Sequence, residues 1–116
     1  MNAPAYTIRG RELIVPSGMS VRFDSPIAEA VQVADTIVVV LEPQKGVISN
    51  ENVFGIDGEG RIKWQIARQP WGEGNLNNPY VGVQARGGEI QAFNWSDRVV
   101  FVDPRDGRVL RWEQNK

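Results

Sequence analysis

From Asn52 onward the chain is cut into short apolar runs by turns that hold glycine beside acidic residues. Asn52–Asp57 is followed by Gly58–Gly60 and then by Arg61–Ala67. Tyr80–Ala85 is followed by a turn at Arg86–Glu89 and by Ile90–Trp95, and Arg98–Val102 by a turn at Asp103–Gly107 and by Arg108–Glu113. Runs of this length, joined this closely, predict a meander of antiparallel hairpins. Within Arg61–Ala67 the residues Ile62, Trp64 and Ile66 alternate with Lys63, Gln65 and Ala67, the pattern of a half-buried strand whose successive side chains point to opposite faces.

Composition agrees. Val and Ile number 24 and Leu only 4, and branched side chains favour a pleated surface because little rotamer freedom remains for them to lose. With 116 residues, 41% hydrophobic and 23% charged, the chain has material for one modest core. The expected fold is all-β: residues 1–116 form a single small domain of antiparallel hairpins in a meander, arranged as a sandwich or partly closed barrel of about nine or ten strands.

The first half reads less regularly. Ile8–Val15 is a strand interrupted at Gly10, Pro16–Gly18 a turn, and Met19–Phe23 a short alternating segment ended by Asp24, Ser25 and Pro26. Ile27–Asp35 admits a helical turn through Ala28, Glu29 and Ala30, but its length and the spacing of Ile27, Val31 and Val33 favour strand. Thr36–Glu42 is almost continuously apolar, as in a strand covered on both faces, and is expected to be central. At an open edge the same segment would be an aggregation hazard.

Two hairpins repeat each other, ENVFGIDGEGRIKWQI at 51–66 and DRVVFVDPRDGRVLRWEQ at 97–114. Asp57 answers Asp103, Gly60 answers Gly107, Arg61 answers Arg108, and Trp64 answers Trp112 after one extra residue. YVGVQARGGEIQAFNW at 80–95 is a weaker echo. The pattern resembles the outer hairpin of quinoprotein-type and WD40-like β-propeller blades, which would imply a radial arrangement of blades, although about ten short strands are too few for the four four-stranded blades of a complete propeller within one chain. The segment from Asn52 to Lys116 also resembles small uncharacterised bacterial all-β proteins, some of which look to be encoded near secreted toxins. That second resemblance implies an immunity-like role and supplies no catalytic residues.

Several chemistries drop out. The chain has neither Cys nor His, which removes disulfides, thiolate nucleophiles, imidazole bases and ordinary zinc sites. Thirteen basic against fourteen acidic residues leave a net charge of -1, with no general attraction to a polyphosphate, so no nucleic-acid partner is expected. The apolar run Thr36–Leu41 falls far short of the roughly 20 residues that span a bilayer. The first eighteen residues hold no apolar stretch of signal-peptide length. No membrane partner and a cytoplasmic location are the expectations.

Asp57 with Glu59, and Asp103 with Asp106, lack the spacing of a calcium loop. They read as turn carboxylates that accept local backbone hydrogen bonds. No metal, cofactor or catalytic residue is expected, and the chain is not expected to be an enzyme. Trp64, Trp95 and Trp112 read as core aromatics at equivalent ends of return strands, while the parity of Trp95, shared with Phe93 and Gln91 and opposite to Ile90, also admits a position facing a second sheet or solvent.

One segment is different. Arg68–Pro79 is a polar connection of twelve residues with Trp71 between Pro70 and Gly72, where no periodicity buries it. Trp among adaptable Asn and Gly supplies contact area at little entropic cost. Trp71 is therefore the expected anchor of a protein-binding surface, with Arg68, Glu73, Asn75 and Tyr80 around it. The functional expectation is a non-enzymatic protein-binding domain, in its narrowest form a toxin-neutralising one. The alternative is a structural or small-ligand-binding accessory domain acting as a homodimer through open sheet edges.

Overall fold

The computed structural model describes residues 6–69 and 77–114. Among them eleven strands form three antiparallel sheets. The first sheet holds β1 (Thr7–Arg9), β2 (Glu12–Ile14) and β3 (Ser20–Arg22) in the order β1-β2-β3. β4 (Ile27–Val33), β5 (Thr36–Leu41), β6 (Val53–Ile56) and β7 (Ile62–Gln65) make the second, in the order β4-β5-β6-β7. The third comprises β8 (Tyr80–Arg86), β9 (Glu89–Asn94), β10 (Arg98–Val102) and β11 (Val109–Gln114), again with chain neighbours paired. The ambiguous segment at 27–35 is strand through Val33, and Ala34 and Asp35 turn the chain into β5. The count exceeds the expected nine or ten because Gly10, at φ 61, turns the chain inside the expected first strand and splits it in two.

The second sheet is the middle layer. Every residue of β5 is buried, and its alternation sends side chains both ways. Ile37, Val39 and Leu41 join Leu13, Val15, Phe23, Ile27 and Ile56 in a core under the first sheet. Val38 and Val40 join Val53, Trp64 and Ile66 against Tyr80, Val83, Ile90, Ala92, Val100 and Val102 of the third sheet. The composition rich in Val and Ile follows from this geometry, since a strand with two covered faces favours apolar side chains; the one polar residue of β5, Thr36, lies at its start and accepts a hydrogen bond from Lys63 Nζ at 2.7 Å.

Trp64 couples the second and third sheets. Its indole is 7% exposed and lies over Gly55, its cross-strand partner, where an added Cβ would overlap the ring. On its other side a Cβ at Gly107, which sits at φ +77, would come within 2.5 Å of ring atoms Cδ2 and Cε3. The indole N–H donates to Pro104 O at 2.8 Å.

The hairpin repeat is real as sequence, but it does not build a propeller. The resemblance to quinoprotein-type and WD40-like blades is overturned by the architecture, in which three open sheets stack in layers and none closes into a ring or barrel. The equivalence of Trp64 and Trp112 fails as well. Trp64 pairs with Gly55 and Ile62 with Ile56, while Arg111 pairs with Phe101 and Val109 with Val102. Both return strands therefore carry a bulge after the matching Ile62 and Val109, and the residue in the place of Trp64 is Arg111. One residue of slip turns a side chain to the opposite face. Trp112 lies opposite the core residue Val100, and because β11 is the edge strand it still stands 47% exposed; Trp95, in the β9–β10 turn, is 56% exposed.

Candidate functional site

The connections of the second and third sheets are unequal at their two ends. One end carries the short turns at 34–35 and 87–88 and the Asp-Gly turns at 57–61 and 103–108. Residues 42–52, and the described ends 66–69 and 77–79 of the connection that follows β7, lie at the other end together with the β9–β10 turn at 95–97.

Amide side chains bind these connections into one surface. Asn52 is buried; its Nδ2 donates to Leu41 O and to Tyr80 O, each at 2.8 Å, and its Oδ1 accepts from Tyr80 N at 3.0 Å. Each of these backbone groups would otherwise be buried without a partner at the start or end of a strand. Asn50 Oδ1 accepts from Asn78 N at 2.6 Å, and Asn77 Oδ1 from Ser49 N at 2.8 Å. Asn78 Nδ2 donates to Ser96 Oγ at 3.1 Å, while Asn94 Oδ1 accepts from Ser96 N and Arg98 N. Trp95 N closes the chain of contacts on Pro79 O at 3.2 Å.

Beside this network lies a cavity of about 230 Å³, open to solvent. Leu41, Ile48 and Phe54 supply its apolar lining, and Asp24, Glu42 and Glu51 line it without any Lys or Arg. Ser25, buried, ties one wall by donating its hydroxyl to Glu42 O at 2.9 Å. Gln65, on the opposite wall, donates to Glu51 O at 2.9 Å. A carboxylate-lined cavity with an apolar floor favours a basic end group on an apolar stem over an acidic one. Val47 and Ile48, 48% and 45% exposed, stand beside it.

The expected site residues are divided by the structure. Trp71, Glu73 and Asn75 lie outside the described residues. Arg68 is exposed, at this same end. Tyr80, expected on the surface around Trp71, is instead 2% exposed and belongs to the core. Burial pushes its hydroxyl well above the usual tyrosine range. Asn50, Asn52, Asn77, Asn78 and Asn94 were the residues to find, and their placement at or near strand ends was the available sign.

The turn carboxylates at the opposite end act as expected. Asp57 Oδ1 accepts from Glu59 N and Arg61 N, each at 2.9 Å, and the Arg61 backbone bond above all lowers its pKa. Asp103 accepts from Arg105 N at 2.9 Å and from the Arg105 guanidinium at 3.1 and 2.9 Å. The guanidinium bond leads the causes that pull its carboxyl down to about 2. Among the described residues no three of Asp, Glu, His or Cys gather to hold a metal ion, and no helix is long and apolar enough to cross a membrane.

Residues 3–114 match DUF7957, described as a domain of unknown function. The chain belongs to that family. Comparison of this DUF7957 chain with curated proteins gives no match.

Proposed function

We propose that the chain is a non-catalytic protein-binding domain whose binding surface is the end formed by the 42–52, 66–79 and 95–97 connections. The observation that carries this reading is the convergence of residues 42–52 with the described ends 66–69 and 77–79 at one end of the stacked sheets, pinned there by Asn52, Asn50 and Asn78. Binding residues gather on loops that a rigid scaffold positions, and cross-linked loops reach a partner with little ordering left to do. Val47, Ile48 and Trp95 supply exposed apolar area there. Trp71, with Arg68, Glu73 and Asn75, adds the anchor that the polar segment offers.

The cavity fits the same reading. At about 230 Å³ it falls below the roughly 300–1,000 Å³ of most small-molecule sites. It is large enough for one basic side chain of a partner to enter. Neutralisation of a toxin is the narrowest form of this function, and the identity of the captured partner decides it.

The test compares capture by the intact chain with capture by a Trp95→Ala, Ile48→Asp double variant and by Ile62→Ala, which removes an exposed apolar side chain at the opposite end. A partner lost from the first variant and retained by the second supports the surface. Titration should then show Trp71→Ala weakening that partner at least about thirtyfold, the loss of an interface anchor worth about 2 kcal/mol, with the melting temperature unchanged. Equal capture by all three chains refutes the assignment.

A further inference from the structure

The edges of the third sheet are treated differently by the fold. At β8 the outward-facing N–H of Val83 donates to Glu29 Oε1 at 3.1 Å, and β4 packs alongside. A carboxylate from the neighbouring sheet thus occupies that edge, a known way of blunting a strand that could otherwise recruit another. Among the described residues β11 pairs only with β10. It presents Leu110 and Trp112, 37% and 47% exposed, and it has no proline.

We propose that a second copy of this chain pairs antiparallel with β11, joining two third sheets into one continuous sheet about a two-fold axis. Among the registers centred on Arg111, Trp112 or Glu113, the charges of β11 favour one. In a continuous sheet the directly opposed residues share a face, so the axis must pass through a residue that faces its own copy. Centring on Arg111 sets arginine against arginine, and centring on Glu113 sets carboxylate against carboxylate. Like charges directly opposed are unfavourable. Centring on Trp112 places Arg111 of each chain opposite Glu113 of the other, twice by symmetry, and brings the two Trp112 side chains together. Arg111 is already held by Glu89 through hydrogen bonds of 3.2 and 2.9 Å, so its guanidinium enters the pairing with little ordering left to lose.

A short strand pair buries less than the roughly 1,200 Å² of stable complexes. The dimer is accordingly weak, with a dissociation constant on the order of tens of micromolar. This inference is independent of the loop end: Trp95→Ala, which tests the proposed function, leaves self-association unchanged.

Sedimentation equilibrium of the full chain over about two decades of concentration should show a monomer–dimer equilibrium. Glu113→Arg should weaken it at least tenfold, and so should Arg111→Glu. An equimolar mixture of the two variants should recover dimer, because each then meets opposite charge on the other. The absence of cysteine permits a second, geometric readout. Trp112→Cys should oxidise to a covalent dimer, since opposed residues in antiparallel strands lie about 4.5–5.5 Å apart at Cα, within disulfide reach. Glu113→Cys should not, because its copy is offset by two residues. A chain that stays monomeric throughout, a dimer that Glu113→Arg leaves intact, or equal cross-linking at 112 and 113 overturns the proposal.

Discussion

The two glycines that flank the Trp64 indole should reveal themselves through coupling rather than through their separate costs. Gly107→Ala places a methyl group within 2.5 Å of the ring at a backbone φ of +77. The left-handed backbone alone costs an L-residue roughly 1–2 kcal/mol, and forcing a methyl group into a packed core adds about 1–3 kcal/mol. Together they make about 2–5 kcal/mol. Trp64→Ala separately should cost about 3–5 kcal/mol, through the lost area, the cavity and the unpartnered Pro104 carbonyl. In the double variant the ring is gone and the packing part disappears, so that adding Gly107→Ala to Trp64→Ala should cost only the roughly 1–2 kcal/mol of backbone strain. Gly55→Ala is the control, because its conflict is with the ring alone and no left-handed φ is involved. It should be destabilising beside Trp64 and nearly neutral beside Trp64→Ala. Urea denaturation followed by circular dichroism gives all the values. Equal costs for Gly107→Ala in the two backgrounds would show that the indole does not fill this slot, and a Trp64→Ala loss below about 1 kcal/mol would remove it from the core.

Asn52→Ala should lower stability by about 2–4 kcal/mol, since it leaves Leu41 O, Tyr80 O and Tyr80 N with no partner in a buried setting. Thermal unfolding measures the loss, and a variant within a few tenths of a kcal/mol of the parent would contradict the role of Asn52. For Asp103 the folded carboxyl is depressed to about 2, below its ordinary value of about 4. Its contribution to stability is therefore complete above about pH 4 and is lost as pH falls toward about 2. Asp103→Asn should be less stable than the parent at neutral pH, with the difference narrowing across that acid window. A difference independent of pH would refute the linkage.

Local chemistry was readable in advance, and partnership across sheets was not. The Asp-Gly turns, the strand at 27–33 and the central place of β5 follow from patterns a few residues long, where alternation and turn chemistry act without help from distant parts of the chain. Trp112 shows the limit. Its alignment with Trp64 matched letters, whereas burial depends on register: both return strands carry the same bulge, at Lys63 and at Leu110, so Arg111 takes the place of Trp64 and Trp112 falls one position beyond it. The Asn residues around Asn52 read as loop polarity because an amide that bonds main chain 28 positions away has the same composition as one that bonds water. Tyr80 was misplaced for the related reason that a residue beside a polar connection can already be the first of a strand.

The layered arrangement also bears on synthesis. Because sheets pair only between chain neighbours, each can form as soon as its last strand is available, the first two by about Gln65. At that moment Val38, Val40, Val53 and Trp64 still face outward, for the surface that covers them begins only at Tyr80. A released fragment that stops between these points carries a finished sheet with one naked apolar side. A chain truncated after Gln69 should therefore show more chaperone capture and insoluble product than one truncated after Val102, which carries the covering strands β8–β10.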